Sequence, residues 1–321
     1  MIIAPTPDAI ERAAALLRGG QVVAFPTETV YGLGADATDA RAAARVFSIK
    51  ARPAFDPLIV HLAEAHDMAE VAASAPAPAR ELVARYWPGP LTIVVPKHER
   101  IPDIVTAGLP TVAVRVPNHP VARELLRRSG RPIAAPSANP FGYVSPTTAA
   151  HVVAQLGDAV PMILDGGPCR VGLESTIVSF AEATPTLLRH GAISLEALEQ
   201  ALGPIRVRTD ARLPSAPGQL PRHYAPRTPL TIASSASEIS PVERRDTALL
   251  SCVPCADTAG FAAVEILSAE GDLEVAAARL FAALRAADGA GYRRIVALAV
   301  PERGIGRAIM DRLRRASAPP A

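Results

Sequence analysis

Lys50 and Arg52 stand two residues apart in "SIKARPAFDPL", where a run with helical spacing stops. Pro53 disfavours helix at Arg52, which places the pair at a helix exit. There the two cations could compensate the helix dipole, or both could reach over one anionic ligand such as a phosphate. Spacing alone leaves both readings open. In "VVAFPTETVYGLG" two hydroxyls and a carboxylate, Thr27, Glu28 and Thr29, break in where an apolar strand ends. The same pattern recurs: residues 58–60 lead to His61, 112–114 to Arg115, 133–135 to Ser137 and Asn139, and 187–188 to Arg189. Any one of these is ordinary loop polarity. Five of them, of complementary chemical types, predict a single polar cleft, because strand ends hold ligand-binding groups rigidly while loops leave room.

Those strands belong to a recognisable alternation. Residues 8–18 have a helical apolar face closed by Gly19 and Gly20. A strand at 21–25 follows, then a helix at 39–50 capped by Thr38 or Asp39. Further strands are expected within 57–62, 91–96, 111–116, 132–135, 162–165, 175–180 and 186–189, with helices near 120–129, 147–156 and 194–202. Connections of hairpin and helical length alternate, so the expected fold is α/β with a mixed twisted sheet. Residues 206–229 have no apolar period and are rich in proline and arginine, which reads as a linker. A passive spacer needs no cluster such as His223, Tyr224 and two nearby arginines, so this one is expected to touch something. A smaller α/β pattern follows, with strands near 230–232, 247–251, 263–267 and 294–299 and helices near 272–287 and 304–316. The expected domains are 1–205, a linker at 206–229, and 230–321.

Composition narrows the function classes. A chain of 321 residues exceeds one ordinary core. A hydrophobic share of 49% and a charged share of 20% are globular values. A net charge of +2, without a basic stripe interleaved with aromatics, argues against stable nucleic-acid binding. Nothing reads as a signal peptide or membrane span, and three cysteines suit a reducing cytoplasm. Cys252 and Cys255 form a lone CxxC in an expected loop, without the extra ligands of a metal site or the helix start of a redox site. "GLGADA" fits a dinucleotide fingerprint only in letters, since "PTETVY" separates it from the strand and His61 stands where an acidic residue should close the next one. "GIGR" at 304–307 lacks the third glycine, and no phosphate loop of the G-x-x-x-x-G-K-[ST] type is present.

Taken together, "AFPTETVYGLG", "KARPAFDPLIVH", "WPGPLT", "TVAVRVPNHP", "PIAAPSAN" and "GLESTIV" closely resemble the YrdC-like domain of threonylcarbamoyl-AMP synthases. "HYAP" in the linker and the C-terminal "ERGIGRAIMDRL" resemble the two-domain form with a Rossmann-like C-terminal domain. The resemblance implies synthesis of threonylcarbamoyl-AMP and pyrophosphate from L-threonine, bicarbonate or CO2, and ATP, with Mg2+ accompanying the ATP. Downstream proteins would pass the threonylcarbamoyl group to adenosine in tRNA. By resemblance Thr29, His61, Arg115, Ala135 and Ser175 contact threonine. Lys50, Arg52, Asp56, Thr111, Ser137, Asn139, Ser145, Arg189 and Tyr224 contact ATP, and Lys50 and Arg52 stabilise the reacting phosphates. Arg115 suits a carboxylate because a guanidinium donates two parallel hydrogen bonds. Thr29 and Ser175 could instead serve the backbone, and His61 could be a hydrogen-bonded core histidine. Asp56 is the departure: the family more often has asparagine or histidine there, and a carboxylate would repel phosphate unless a metal or Arg52 neutralised it. The implied mechanism needs no protein nucleophile, with Tyr224 and the linker covering the site. The rivals are a carbamoyl-phosphate-dependent carbamoyltransferase, whose usual extra modules are missing from this sequence, and an RNA-binding module of the same fold.

Overall fold

A computed structural model describes residues 1–209 and 214–319; positions 210–213 of the expected linker and 320–321 of the expected C-terminal domain lie outside the described residues. The first part of the chain contains β1 (Ile2–Ile3), α1 (Pro7–Arg18), β2 (Val23–Phe25), β3 (Gly32–Asp36), α2 (Ala40–Lys50), β4 (Ile59–His61), α3 (Ala77–Tyr86) and β5 (Leu91–Pro96). It continues with α4 (Asp103–Thr106), β6 (Thr111–Arg115), α5 (Pro120–Ser129), β7 (Ile133–Ala134), α6 (Ala149–Leu156), β8 (Ile163–Leu164), β9 (Thr176–Ser179), β10 (Thr186–Arg189), α7 (Leu195–Leu202) and β11 (Arg206–Val207). The rest forms β12 (Leu230–Ala233), α8 (Pro241–Arg244), β13 (Thr247–Ser251), β14 (Ala263–Ile266), α9 (Leu273–Gly289), β15 (Arg294–Leu298) and α10 (Gly306–Ser317).

The eleven strands β1 to β11 make one sheet in the order β1-β8-β2-β3-β7-β4-β6-β5-β9-β10-β11. Its directions are mixed, as expected: β4 and β6 are parallel, with His61 opposite Arg115, while β7 and β5 run against them. Side-chain alternation splits the centre of the sheet into two faces. Val60, Ile93, Val95, Val114 and Val178 belong to the main core with Val46 and Phe47 of α2 and Leu82 and Val83 of α3. Ile59, Val94, Ala113, Ile177 and Leu188, from five neighbouring strands, form an apolar patch on the other side, joined there by Ala216 from the linker.

Local signals account for the helices that frame this sheet. Thr6 caps α1 by accepting from the Ala9 amide at 3.2 Å, and Ala9, Ile10, Ala13, Ala14 and Leu17 are buried along one stripe. Asp39, rather than Thr38, caps α2, accepting from the Arg41 amide at 2.8 Å. That helix stops at Lys50 because Ala51 turns left-handed, at φ 49°. The strand β3 was not expected from the sequence, because its glycines resemble a loop motif. A Cβ on Gly34 would lie 2.7 Å from both Ile133 and Phe25, so the strand needs glycine in order to pack.

The smaller sheet is wholly parallel, in the order β12-β15-β13-β14. Leu250, Ile295 and Ala297 pack with α9 and α10, and this cluster continues into Val30, Val144, Leu173 and Tyr224, which seals the two parts together. No helix among the described residues is long and apolar enough to cross a membrane.

Candidate active site

The polar groups expected at strand ends meet over the face of the larger sheet, not beyond one edge of it. The cause is strand direction: β2 and β7 run against β4 and β6, so their polar exits start from the opposite edge and fold back across the patch around Ile59. Thr29, Lys50, Arg52, His61, Arg115, Ala135, Ser137, Asn139, Ser175, Arg189 and Tyr224 line one cavity.

Arg115 is held from two sides. Its Nε donates to the carbonyl of Gly89 at 3.1 Å, two residues after the buried Trp87, and its Nη1 donates to Thr29 Oγ1 at 2.8 Å. Thr27 donates its hydroxyl to the Val30 carbonyl at 2.7 Å, which leaves Thr29 to donate to Thr27 Oγ1 at 2.8 Å and to accept from Arg115. Arg115 Nη2 lies 2.6 Å from Glu28 Oε1 in a buried ion pair, yet neither Glu28 oxygen accepts a well-aligned hydrogen bond. His61 is 4% exposed. Burial, with Arg115 beside it, holds its pKa down to about 3, so the ring is neutral at neutral pH.

Lys50 sits at the helix exit, as its spacing predicted, but it is not a surface cation: it is 1% exposed. Its Nζ donates to the carbonyl of Ser137 at 2.6 Å and to that of Asn139. Burial, then the neighbouring Arg52, holds its pKa well below the usual lysine range. Arg52 donates to the carbonyls of Asp56 at 2.9 Å and Pro57 at 2.8 Å, and lies against Phe141. Across the cavity Arg189 donates to the carbonyl and hydroxyl of Ser175 and, at 3.1 Å, to the carbonyl of Pro217. Three carboxylates in this region each face an arginine: Glu28 with Arg115, Asp56 with Arg52, Glu174 with Arg312. Among the described residues Lys50 and Arg189 have only carbonyl and hydroxyl partners, so positive charge is left over.

The linker forms one wall. Pro217, Gly218, His223 and Tyr224 all line the cavity. Gly218 is left-handed at φ 83°, and a Cβ there would come within 2.5 Å of the Tyr224 hydroxyl. Tyr224 itself has φ 59°, stacks on Phe281 of α9 at 5.6 Å and meets the edge of His223 at 4.2 Å. With these residues in place the cavity measures about 50 Å³.

Three predicted residues do not line the cavity. Thr111 opens β6 opposite Pro96, four residues along the strand from Arg115, so the strand's rise carries it away from the cleft. Asp56 is fully buried behind Arg52, 2.9 Å from its Nη2. Burial pushes its pKa up while Arg52 and Lys50 pull it down. Arg52 thus faces the one carboxylate that the sequence made suspect. Ser145 lies one layer back and donates to Glu174 Oε1. Sequence reasoning assigned no role to Glu174, which does line the cavity, or to Arg312 behind it. For Glu174 the available signal was its place beside Ser175 in "GLESTIV", and for Arg312 its place in "ERGIGRAIMDRL".

Comparison with known proteins matches the chain in two stretches. The Sua5/YciO/YrdC family model, described as "Telomere recombination", matches residues 15–191, and the model "Threonylcarbamoyl-AMP synthase, C-terminal domain" matches 193–318. The chain is 42% identical over 320 residues to the threonylcarbamoyl-AMP synthase of Pyrococcus abyssi, covering 96% of this chain and 94% of that one. It is equally 42% identical over 320 residues to that of Bacillus subtilis, covering 96% and 92%. Among solved structures, P. abyssi Sua5 complexed with L-threonine superposes with a TM-score of 0.90 at 41% identity, over 96% of this chain and 94% of the other.

Proposed function

The chain belongs to the Sua5/YciO/YrdC family and carries the threonylcarbamoyl-AMP synthase C-terminal domain, and from that premise we propose that L-threonine, bicarbonate and ATP react in the cleft over the larger sheet. Enzymes of this kind make threonylcarbamoyl-AMP. The observation that carries the assignment to this cleft is that Arg115 and Lys50 line a single cavity.

Threonine's carboxylate would take Arg115 Nη2, the guanidinium donor that has an ionic contact but no aligned hydrogen bond. Its amine and hydroxyl would face Thr29, neutral His61, the Ala135 backbone and Ser175. The triphosphate would lie toward Lys50, Arg52, Ser137, Asn139 and Arg189, where the surplus positive charge is. The amine adds to the carbon of bicarbonate or CO2 to give a carbamate, with loss of water in the bicarbonate case. A carbamate oxygen then attacks the α-phosphorus in line, and pyrophosphate leaves. The protein contributes position and fixed positive charge, which do most of the catalytic work in phosphoryl and nucleotidyl transfer. Mg2+ would arrive with ATP as part of the substrate, held by phosphate oxygens and water. Among the described residues there is no group of three or more histidine, cysteine or acidic side chains placed to hold a metal. Tyr224 and His223 would shut water away from the hydrolysable mixed anhydride. The product would be used in the cytoplasm by proteins that transfer the threonylcarbamoyl group to tRNA.

Pyrophosphate release from ATP tests the reading. It is expected only when threonine and bicarbonate are both present, and to be lost when either is withheld. Release that ignores threonine would refute it.

A further inference from the structure

We propose that Arg312, from the last helix of the C-terminal part, is a positioning residue for the cleft on the larger sheet, acting through Glu174 and the ring of Tyr224. The proposal rests on the reading of that cleft as the reaction site.

Arg312 is 0% exposed, although it belongs to a different part of the chain from the cleft. Its Nε donates to Glu174 Oε2 at 2.9 Å, and its Nη1 donates to Asp311 Oδ2 at 2.6 Å. The guanidinium carbon lies 5.0 Å from the centre of the Tyr224 ring, which also stacks on Phe281, so the cation is buried against an aromatic face. Glu174 in turn accepts the Ser145 hydroxyl proton through its other oxygen. One guanidinium therefore holds both the carboxylate behind Ser145 and the tyrosine of the linker wall. The neighbouring Arg315 extends the hold, donating to the carbonyls of Leu220 at 2.5 Å and Thr209 at 2.6 Å, on both sides of residues 210–213.

Two consequences follow from the chemistry. Without Arg312, Glu174 would lose the partner of its Oε2 and Tyr224 the cation against its ring, so two walls of the cleft would lose their fixed placement. With Arg312 in place, Glu174 holds the single hydroxyl proton of Ser145. Ser145 is thereby anchored one layer behind the cavity wall.

Loss of the arginine alone also strands a buried charge, so the decisive variant removes both charges. Arg312→Met with Glu174→Gln is expected to fold and to unfold near the wild-type temperature, yet to keep kcat/KM for ATP about 10–100-fold low, as expected when catalytic geometry is lost. Arg312→Lys, which keeps the charge but not the flat stack on Tyr224, is expected to recover part of it. Recovery of wild-type kcat/KM in the double variant would show a merely structural pair and overturn the proposal. Amide exchange across residues 214–226 gives a readout independent of turnover. Protection there is expected to fall about tenfold in the double variant, and unchanged protection would also overturn the proposal. If the wild-type protein releases no pyrophosphate with all three substrates, the reaction assignment fails, and the exchange measurement alone decides whether Arg312 holds the linker.

Discussion

The two sheets treat charge differently. Over the larger sheet Lys50, Arg52, Arg115 and Arg189 are all buried, with Glu28, Asp56 and Glu174 among them. The smaller sheet packs Leu250, Ile295 and Ala297 under α9 and α10, and the buried Arg312 and Arg315 of α10 turn toward the larger part and the linker. A wholly parallel sheet ordinarily offers its ligand site beyond the carboxyl ends of its strands. Here those ends lead to Ser251, Cys252 and Pro301, and the buried Arg244, in the segment that follows β12, is committed to an ion pair with Asp257 and to the carbonyls of Ala236, Ile239 and Ala259. The mixed sheet instead brings polar exits from both edges over one face. Buried charge thus collects where strands of opposite direction fold back together, and the parallel sheet is left to brace that place from behind.

The sharpest way to break this contrast is at Arg115. Arg115→Ala should lower threonine-dependent pyrophosphate release by about 10³-fold, within the scale of removing one member of a buried charge pair from a binding site, about 2–5 kcal/mol. Wild-type rates would take Arg115 out of the site. Lys50→Met separates function from stability. It should cost about 10²-fold in kcat, in line with loss of one charge-stabilising donor. Its unfolding temperature should match or exceed that of the wild type, because burial disfavours the charged ammonium in the folded protein but not in the unfolded chain. A clear fall in melting temperature would mean that Lys50 stabilises the fold.

The smallest effect is graded with pH. All seven histidines precede residue 224, so the smaller sheet has none. Burial lowers five of them, His61 to about 3 and His151 to about 4, with His119, His190 and His223 also below the usual value. Between pH 6.5 and those lowered values the unfolded chain binds more protons than the folded one. Their contribution is therefore complete above about pH 6.5 and is lost as pH falls, at up to about 1.4 kcal/mol per unit for each fully depressed histidine. Urea unfolding between pH 7 and 5 should show the midpoint falling, and amide exchange should show the larger sheet losing protection before the smaller one. Simultaneous loss in both would erase the distinction.

What was legible in the sequence were features with local causes. Helix stripes, caps and β-rich runs predicted most elements to within a few residues, and the strand exits named most of the groups that line the cavity. Legibility ended where the cause lay far along the chain. Gly34 looks like a turn until Ile133 and Phe25 are placed against it. Thr111 and Arg115 share a strand and a face, and only the register with Pro96 and His61 shows which of them lies at the cleft. Glu174 needed an arginine 138 residues away, whereas for Asp56 the neutralising Arg52, four residues before it, was within reach of the sequence.

Trp87 makes that neighbourhood observable. It is the chain's single tryptophan, 9% exposed, and its indole donates to the Leu91 carbonyl at 2.8 Å. Two residues on, the Gly89 carbonyl accepts from Arg115. The protein therefore carries a single native indole, two residues from the carbonyl that holds the guanidinium on which amino-acid recognition is assigned, with no second one to blur its emission. Rearrangement at that arginine can be followed optically in the unlabelled, unaltered chain.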